Sequence, residues 1–321
     1  MNHSYTIALL SQPNVGKSTL FNGLTGAHQH VGNWPGKTVE KKEGIFKNNG
    51  ISYTVVDLPG SYSLSANSDE EIVTRDYIAS GKADLICILA DASQLERSMY
   101  MLADYIGIKI PTVLLLNMMD VAEQQGKEVD VNALEKTLHI PVLPFVAADR
   151  KKYQPFYKLL QRTDKENWIL DDQLLENFYR KEFPHIFEKI KETLPANGIG
   201  IHSSSWLTGK LIEQDSLVLE LVKQSVTKEV FVKIQQMIST LKDGNIHTGN
   251  CKFQWIDFAL AGKTKNPKRE SRINGFDKLA TSKIWGKPLA IVIILLGLCA
   301  SILCAAPIMI ISSLVMQIAS P

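Results

Sequence analysis

An apolar run from Tyr5 to Leu10 passes straight into Ser11-Gln12-Pro13-Asn14-Val15-Gly16-Lys17-Ser18-Thr19, and this junction constrains the fold more than any other stretch. It reads as a strand, a phosphate-cradling loop and the start of a helix, the pattern G-x-x-x-x-G-K-[ST] with Ser11 in place of the first glycine. Backbone N–H groups of such a loop hold the phosphates of a nucleotide, the lysine reaches the β- and γ-phosphates, and the serine hydroxyl binds Mg²⁺. Asn14, Val15, Gly16, Lys17, Ser18 and Thr19 are therefore the candidate phosphate residues. If position 11 needs a glycine conformation, the Ser11 Cβ costs strain, and Ser11→Gly should raise phosphate affinity.

Short apolar runs alternate with helix-period segments through the first half. The strands expected are Thr6–Leu10, Ser52–Asp57, Leu85–Asp91, Thr112–Asn117 and Val142–Val146; the helices between them are Lys17–Leu24, Glu70–Ser80, Leu95–Gly107 and Val131–Leu138. Leu85–Ala90 and Val113–Leu116 are apolar at every residue, as strands buried on both faces of a parallel sheet are. This predicts a doubly wound α/β domain over 1–165 built on that P-loop, with its ligand at the carboxyl ends of the strands. From 166 to 261 the pattern is all-α, with helices expected over Leu174–Thr193, Trp206–Val222, Val226–Leu241 and Gln254–Ala261 and a break at Gly244–Gly249.

Residues 262–287 form a basic linker, and no charged residue occurs from Pro288 to Pro321. A bilayer-spanning helix needs about 20 apolar residues, so 288–318 is expected to be a transmembrane segment. The lysines and arginines before it place residues 1–261 on the cytoplasmic side of the plasma membrane. A net charge of +2 gives no electrostatic reason to expect nucleic acid. The four cysteines have no paired spacing and read as free thiols. Cys299 and Cys304, inside the apolar segment, could ligate a soft metal ion or simply act as small hydrophobes. His28 and His30 could meet metal or stand exposed in a loop.

Further elements follow in the order a GTPase needs. Asp57-Leu58-Pro59-Gly60 ends an apolar strand, where a carboxylate can hold a Mg²⁺-bound water and the glycine amide can meet the γ-phosphate. Asn117-Met118-Met119-Asp120 ends another, and a carboxylate there can accept from guanine N1–H and its exocyclic amine, a donor pair adenine lacks. Val31 to Glu40, with Gly32, Asn33, Pro35 and Gly36, reads as a loop, and Thr38 in it can be the second hydroxyl ligand for Mg²⁺ when a γ-phosphate is present, or simply the first residue of a strand, the two roles being compatible.

Asn33-Trp34-Pro35-Gly36-Lys37-Thr38-Val39-Glu40, Asp57 to Leu64, Glu70 to Tyr77, Phe253-Gln254-Trp255-Ile256-Asp257 and Ile284-Trp285-Gly286-Lys287-Pro288 closely resemble the FeoB family of ferrous iron transporters. The resemblance implies a G domain binding GTP and GDP with Mg²⁺, a helical domain tuning nucleotide release, and an inner-membrane pore. It makes Lys17, Thr38, Gly60 and Asn14 the catalytic set, with Asn14 the K⁺ site. Asn117, Met118 and Asp120 then read guanine, and Val146-Ala147-Ala148 is the last base-contacting loop, with Ala147 lacking the usual hydroxyl.

Ser61 stands where many GTPases orient water with a glutamine, and the loop at Thr38 has no arginine. Hydrolysis is therefore expected to be slow and stimulated by K⁺. A single apolar segment cannot line a pore, so the chain reads as truncated, split, a fragment or a short regulator. Implied partners are a membrane domain on another chain, a small FeoA-like protein or further copies of this chain. The alternative reading is a nucleotide-binding regulator with negligible hydrolysis.

Overall fold

Strand and helix alternate from the start of the chain: β1 (Tyr5–Ser11), α1 (Lys17–Thr25), β2 (Gln29–Asn33), β3 (Glu40–Asn48), β4 (Ile51–Asp57), α2 (Asp69–Ala79), β5 (Leu85–Asp91), α3 (Leu95–Tyr105), β6 (Thr112–Asn117), α4 (Met119–Gln124), β7 (Glu128–Val129), α5 (Val131–Leu138), β8 (Val142–Pro144) and α6 (Gln154–Leu159). Then come α7 (Gln173–Glu182), α8 (Ile186–Thr193), α9 (Ser204–Ile212), α10 (Ser216–Ser225), α11 (Lys228–Ser239), α12 (Gly244–Leu260) and the short β9 (Thr264–Lys265). The computed structural model describes residues 5–26, 28–65, 68–265, 282, 285–299 and 301–302.

The main sheet has the order β2-β3-β4-β1-β5-β6-β8. β4, β1, β5, β6 and β8 run parallel, and every residue of β5 and β6 is buried. Their all-apolar sequences demand helices on both faces, and a parallel sheet supplies them. The carboxyl ends of β1, β4 and β6 deliver Ser11, Asp57 and Asn117 to one edge of the sheet.

The sheet is mixed, where a parallel one was expected. β2 and β3 pair antiparallel with each other, and β3 with β4. The two ends of the expected loop, Val31–Asn33 and Glu40, are thus strand, and Trp34 to Val39 between them form the turn. β2 gave no sequence signal because all five of its residues are exposed. The β3–β4 hairpin did carry one: Asn49-Gly50 lies between the paired residues Asn48 and Ile51, both with positive φ (48° and 80°), as a two-residue turn requires.

The helical half departs from expectation at its breaks. Pro184, with no N–H to donate, separates α7 from α8. Gln214 at φ 57° separates α9 from α10, and Asp215 caps α10 by accepting from Leu217 and Val218 N–H at 3.1 and 3.0 Å. The break expected at Gly244–Gly249 is absent, because α12 runs unbroken from Gly244. Gly244 is there for packing: a Cβ would lie 2.2 Å from the Ile212 carbonyl oxygen.

Residues 1–267 make one compact unit and 268–321 a second. In the second, residues 286–299 are helical, and Ile291 to Leu296 and Leu298 are exposed apolar residues. Among the described residues no helix is long and apolar enough to cross a membrane. Much of the expected span 288–318, with Cys304, lies outside the described residues.

Candidate nucleotide-binding site

The phosphate loop turns on two left-handed residues, Asn14 at φ 65° and Gly16 at φ 89°. Gly16 tolerates no side chain, since a Cβ would sit 2.4 Å from Asn117 Nδ2. α1 begins at Lys17 with no side-chain cap, so its first-turn N–H groups face outward, and Ser18 and Thr19 are exposed. A helix start of this kind offers donors and a partial positive charge to an anion. Lys17 is 9% exposed, and its ammonium pairs with the Asp57 carboxylate, 6% exposed. Ser18 Oγ lies 3.3 Å from the other Asp57 oxygen. A hydroxyl and a carboxylate side by side are the hard oxygen donors Mg²⁺ takes, so the residues present fit that ion.

Ser11 is not strained. It ends β1, has no positive φ, and its hydroxyl donates to the Gln12 carbonyl at 2.8 Å. The gain expected of Ser11→Gly thus loses its physical basis.

The segment after Asp57 lies directly on the phosphate loop. Leu58 N–H donates to Leu9 O at 3.2 Å, and Ser61 N–H to Ser11 O at 3.1 Å. A Cβ on Gly60 would stand 3.3 Å from Pro13 Cα and N. Ser61 is buried, and its hydroxyl has no partner among the described residues.

On the base side Asn117 is a brace. Its Nδ2 donates to Val15 O at 2.7 Å and its Oδ1 accepts from Ala147 N–H at 2.7 Å, so both polar ends tie phosphate loop to base loop. Met118 turns the chain at φ 58° into α4, and the Asp120 carboxylate is exposed. Val146 and Ala147 are buried and Ala148 is exposed.

Gly36 and Thr38 are not brought to this cluster. Both are exposed in the turn, and no bond joins them to Lys17, Ser18 or Asp57 among the described residues. The turn is latched to α2 instead. Trp34 is buried edge-on against Tyr77 with ring centroids 5.4 Å apart, and Lys37 meets Asp69 at 2.6 Å. His30 lies across from Glu43 on the hairpin, but no group of three His, Cys, Asp or Glu able to hold a metal occurs among the described residues.

A buried ionic cluster that sequence reasoning missed joins the segment after Asp57 to the helical half. Arg75 of α2 donates to both Asp215 oxygens at 2.6 and 2.8 Å and to Leu64 O at 3.1 Å. Asp104 of α3 accepts from Leu64 N–H, from Lys210 at 2.7 Å and from Lys252 at 2.6 Å. Burial alone would raise the Asp104 carboxyl, but the two ammoniums outweigh it and hold it well below the usual carboxylate range. The available signal was an acid inside an apolar helical stretch, Met101-Leu102-Ala103-Asp104-Tyr105.

A family profile described as "Ferrous iron transport protein B" matches residues 5–160. The Fe(2+) transporter FeoB of Salmonella typhimurium is 32% identical over 292 residues, 88% of this chain. That of Escherichia coli K12 is 30% identical over the same length. The chain spans 37% of the length of these relatives. Among solved structures, a GDP-bound mutant of S. thermophilus NFeoB superimposes with a TM-score of 0.69 at 33% identity, covering 81% of this chain and 100% of that one. The T. maritima FeoB cytosolic domain in GMPPNP form gives 0.65 at 28% identity, over 81% and 99%. With a phosphate loop, a strand-end carboxylate and a base-side acceptor set on one sheet edge, the chain belongs to the FeoB family and matches its N-terminal GTPase region.

Proposed function

We propose that this chain binds GTP and GDP with Mg²⁺, hydrolyses GTP slowly, and serves as the cytoplasmic nucleotide switch of an inner-membrane ferrous iron transport system. The observation that carries the reading is the Asn117 brace. It holds an uncapped helix start, with buried Lys17, at a fixed distance from the exposed Asp120, so that one ligand with phosphates and a guanine base can engage both ends.

In this reading the first-turn N–H groups of α1, from Lys17 to Thr19, take the phosphates. Lys17, paired with Asp57 in the structure, would turn to the β/γ-oxygens, and Ser18 and Asp57 are the residues that would hold Mg²⁺. The metal supplies positive charge against the phosphates when bound. Thr38 joins only after the turn leaves its latch at Tyr77 and Asp69. The Gly60 N–H meets the γ-phosphate. Ser61, a neutral hydroxyl, stands where many GTPases orient the attacking water with a glutamine, and this is why slow hydrolysis is expected.

The exposed Asn14 amide oxygen is the group that would hold a K⁺ ion, which would add charge where an arginine finger acts in other GTPases. Asn14→Ala is expected to remove most of the K⁺ stimulation of phosphate release while GDP affinity stays within about threefold. Loss of GDP binding together with K⁺ stimulation would show Asn14 to be structural.

Asp120→Asn tests the base assignment. The amide donates where the carboxylate accepted, so preference should move from guanine toward xanthine nucleotides by at least about 100-fold, the scale of a buried polar mismatch. An unchanged GTP-to-XTP ratio would defeat it.

The proposed organisation is a G domain over 1–165, a helical domain over 166–261, a basic linker over 262–287 and a membrane segment over 288–318. Iron passage belongs to partners: the remaining membrane domain, a small FeoA-like protein, or several copies of this chain.

A further inference from the structure

Tyr153 follows the base-side loop. It is 1% exposed, and its hydroxyl donates to the Ala147 carbonyl at 2.7 Å. Burial pushes the phenol up to about 12, so the group remains a donor at physiological pH. Its ring is fixed by Phe145 at 4.9 Å and Tyr157 at 6.2 Å between centroids. Gly23, inside α1, stands beside it: a Cβ there would lie 2.1 Å from the Tyr153 oxygen. Glycine weakens a helix interior, and the phosphate-binding helix carries one where the hydroxyl passes.

The identity of the acceptor gives the bond its consequence. The Ala147 carbonyl and the Ala148 N–H belong to one planar trans peptide and point in opposite directions. The Ala147 N–H is already held by Asn117 Oδ1 at 2.7 Å. A hydroxyl fastening the carbonyl therefore aims the Ala148 N–H, and that N–H lies in an exposed residue with no intramolecular partner among the described residues. Ala147 and Ala148 have no polar side chain of their own to hold this plane, so the loop borrows its anchor from Tyr153.

We propose that Tyr153 is a positioning residue for guanine recognition: its hydroxyl sets the Ala147–Ala148 peptide so that the Ala148 N–H faces the base O6, and so sets how fast nucleotide leaves. The inference rests on the guanine-site reading above. Because Tyr153 packs against α1 as well, the base end and the phosphate end share one rigid support.

The test uses the full chain in detergent and Tyr153→Phe, which keeps the ring and removes the bond. Release of a fluorescent GDP should become about five- to tenfold faster, the worth of one neutral hydrogen bond, with association unchanged within about twofold. The preference for GDP over the diphosphate of 2-aminopurine riboside, a guanine analogue lacking O6, should shrink by a similar factor. Unchanged GDP release would overturn the proposal. Equal acceleration for both nucleotides would also overturn it, because a packing defect alone does not distinguish O6. Failure of the unaltered chain to bind GDP saturably would overturn the underlying reading and the proposal with it.

Discussion

Lys17→Ala is expected to lower the affinity for GTP and GDP by roughly a thousandfold, about 4 kcal/mol. Two losses act together. The ammonium no longer meets the phosphates, a charge-assisted contact worth about 1.5–3 kcal/mol. The Asp57 side chain, 6% exposed, is then left among the described residues with the Ser18 hydroxyl at 3.3 Å as its partner, and it faces the incoming phosphates. The second loss is particular to this geometry, because in the structure the lysine neutralises that carboxylate. The nucleotide-free protein should therefore also melt earlier. Titration of the full chain with a fluorescent GDP checks the first effect and a thermal melt the second. Affinity within about tenfold of the unaltered chain would mean that Lys17 belongs to Asp57 and not to phosphate.

What could be read in the sequence was whatever depends on residue type at a strand end. An apolar run followed by Gly16-Lys17-Ser18 can do little else than turn a strand into a helix. The all-apolar Leu85–Ala90 and Val113–Leu116 can only lie between helical layers. The antiparallel hairpin escaped because β2 is exposed on both faces and has no hydrophobic period, although Asn49-Gly50 announced the β3–β4 turn. The helical half was legible as helix but not in its breaks. Gln214 carries no turn signature, and Gly244, which suggests a breaker, answers to a carbonyl from α9. At the site, the role of Asn117 as a brace depends on partners 102 and 30 residues away in sequence. No local pattern reports such distances. Charged residues in helices read as solvated faces unless their neighbours are known, and Asp104, Lys210 and Lys252 show how far that reading can miss.

Asp104→Ala is expected to destabilise the 1–267 unit by about 3–5 kcal/mol, because removing one member of a buried ionic cluster strands the others. Lys210 and Lys252 would remain buried, at 2% and 4% exposure, with Glu213 alone to balance two ammoniums. At roughly 2–4 °C per kcal/mol for a unit of this size, the melting temperature should fall by about 10 °C. The acid dependence should change as well. The folded Asp104 carboxyl lies below its unfolded value, so its contribution is fully present above pH of about 4 and is lost as pH falls toward the depressed folded value. In the variant that part of the acid destabilisation disappears. Adding Lys252→Met should recover part of the lost stability, since it removes one stranded charge and keeps apolar bulk, whereas independent sites would add. A melting temperature within about 2 °C of the unaltered chain would show the cluster to be solvated in solution. Leu64 N–H loses its acceptor in the same variant, so the segment that ties Asp57 to Arg75 and Asp215 loosens. Faster GDP release should therefore accompany the lower stability, and release at the original rate would show that the segment is held by Arg75 alone.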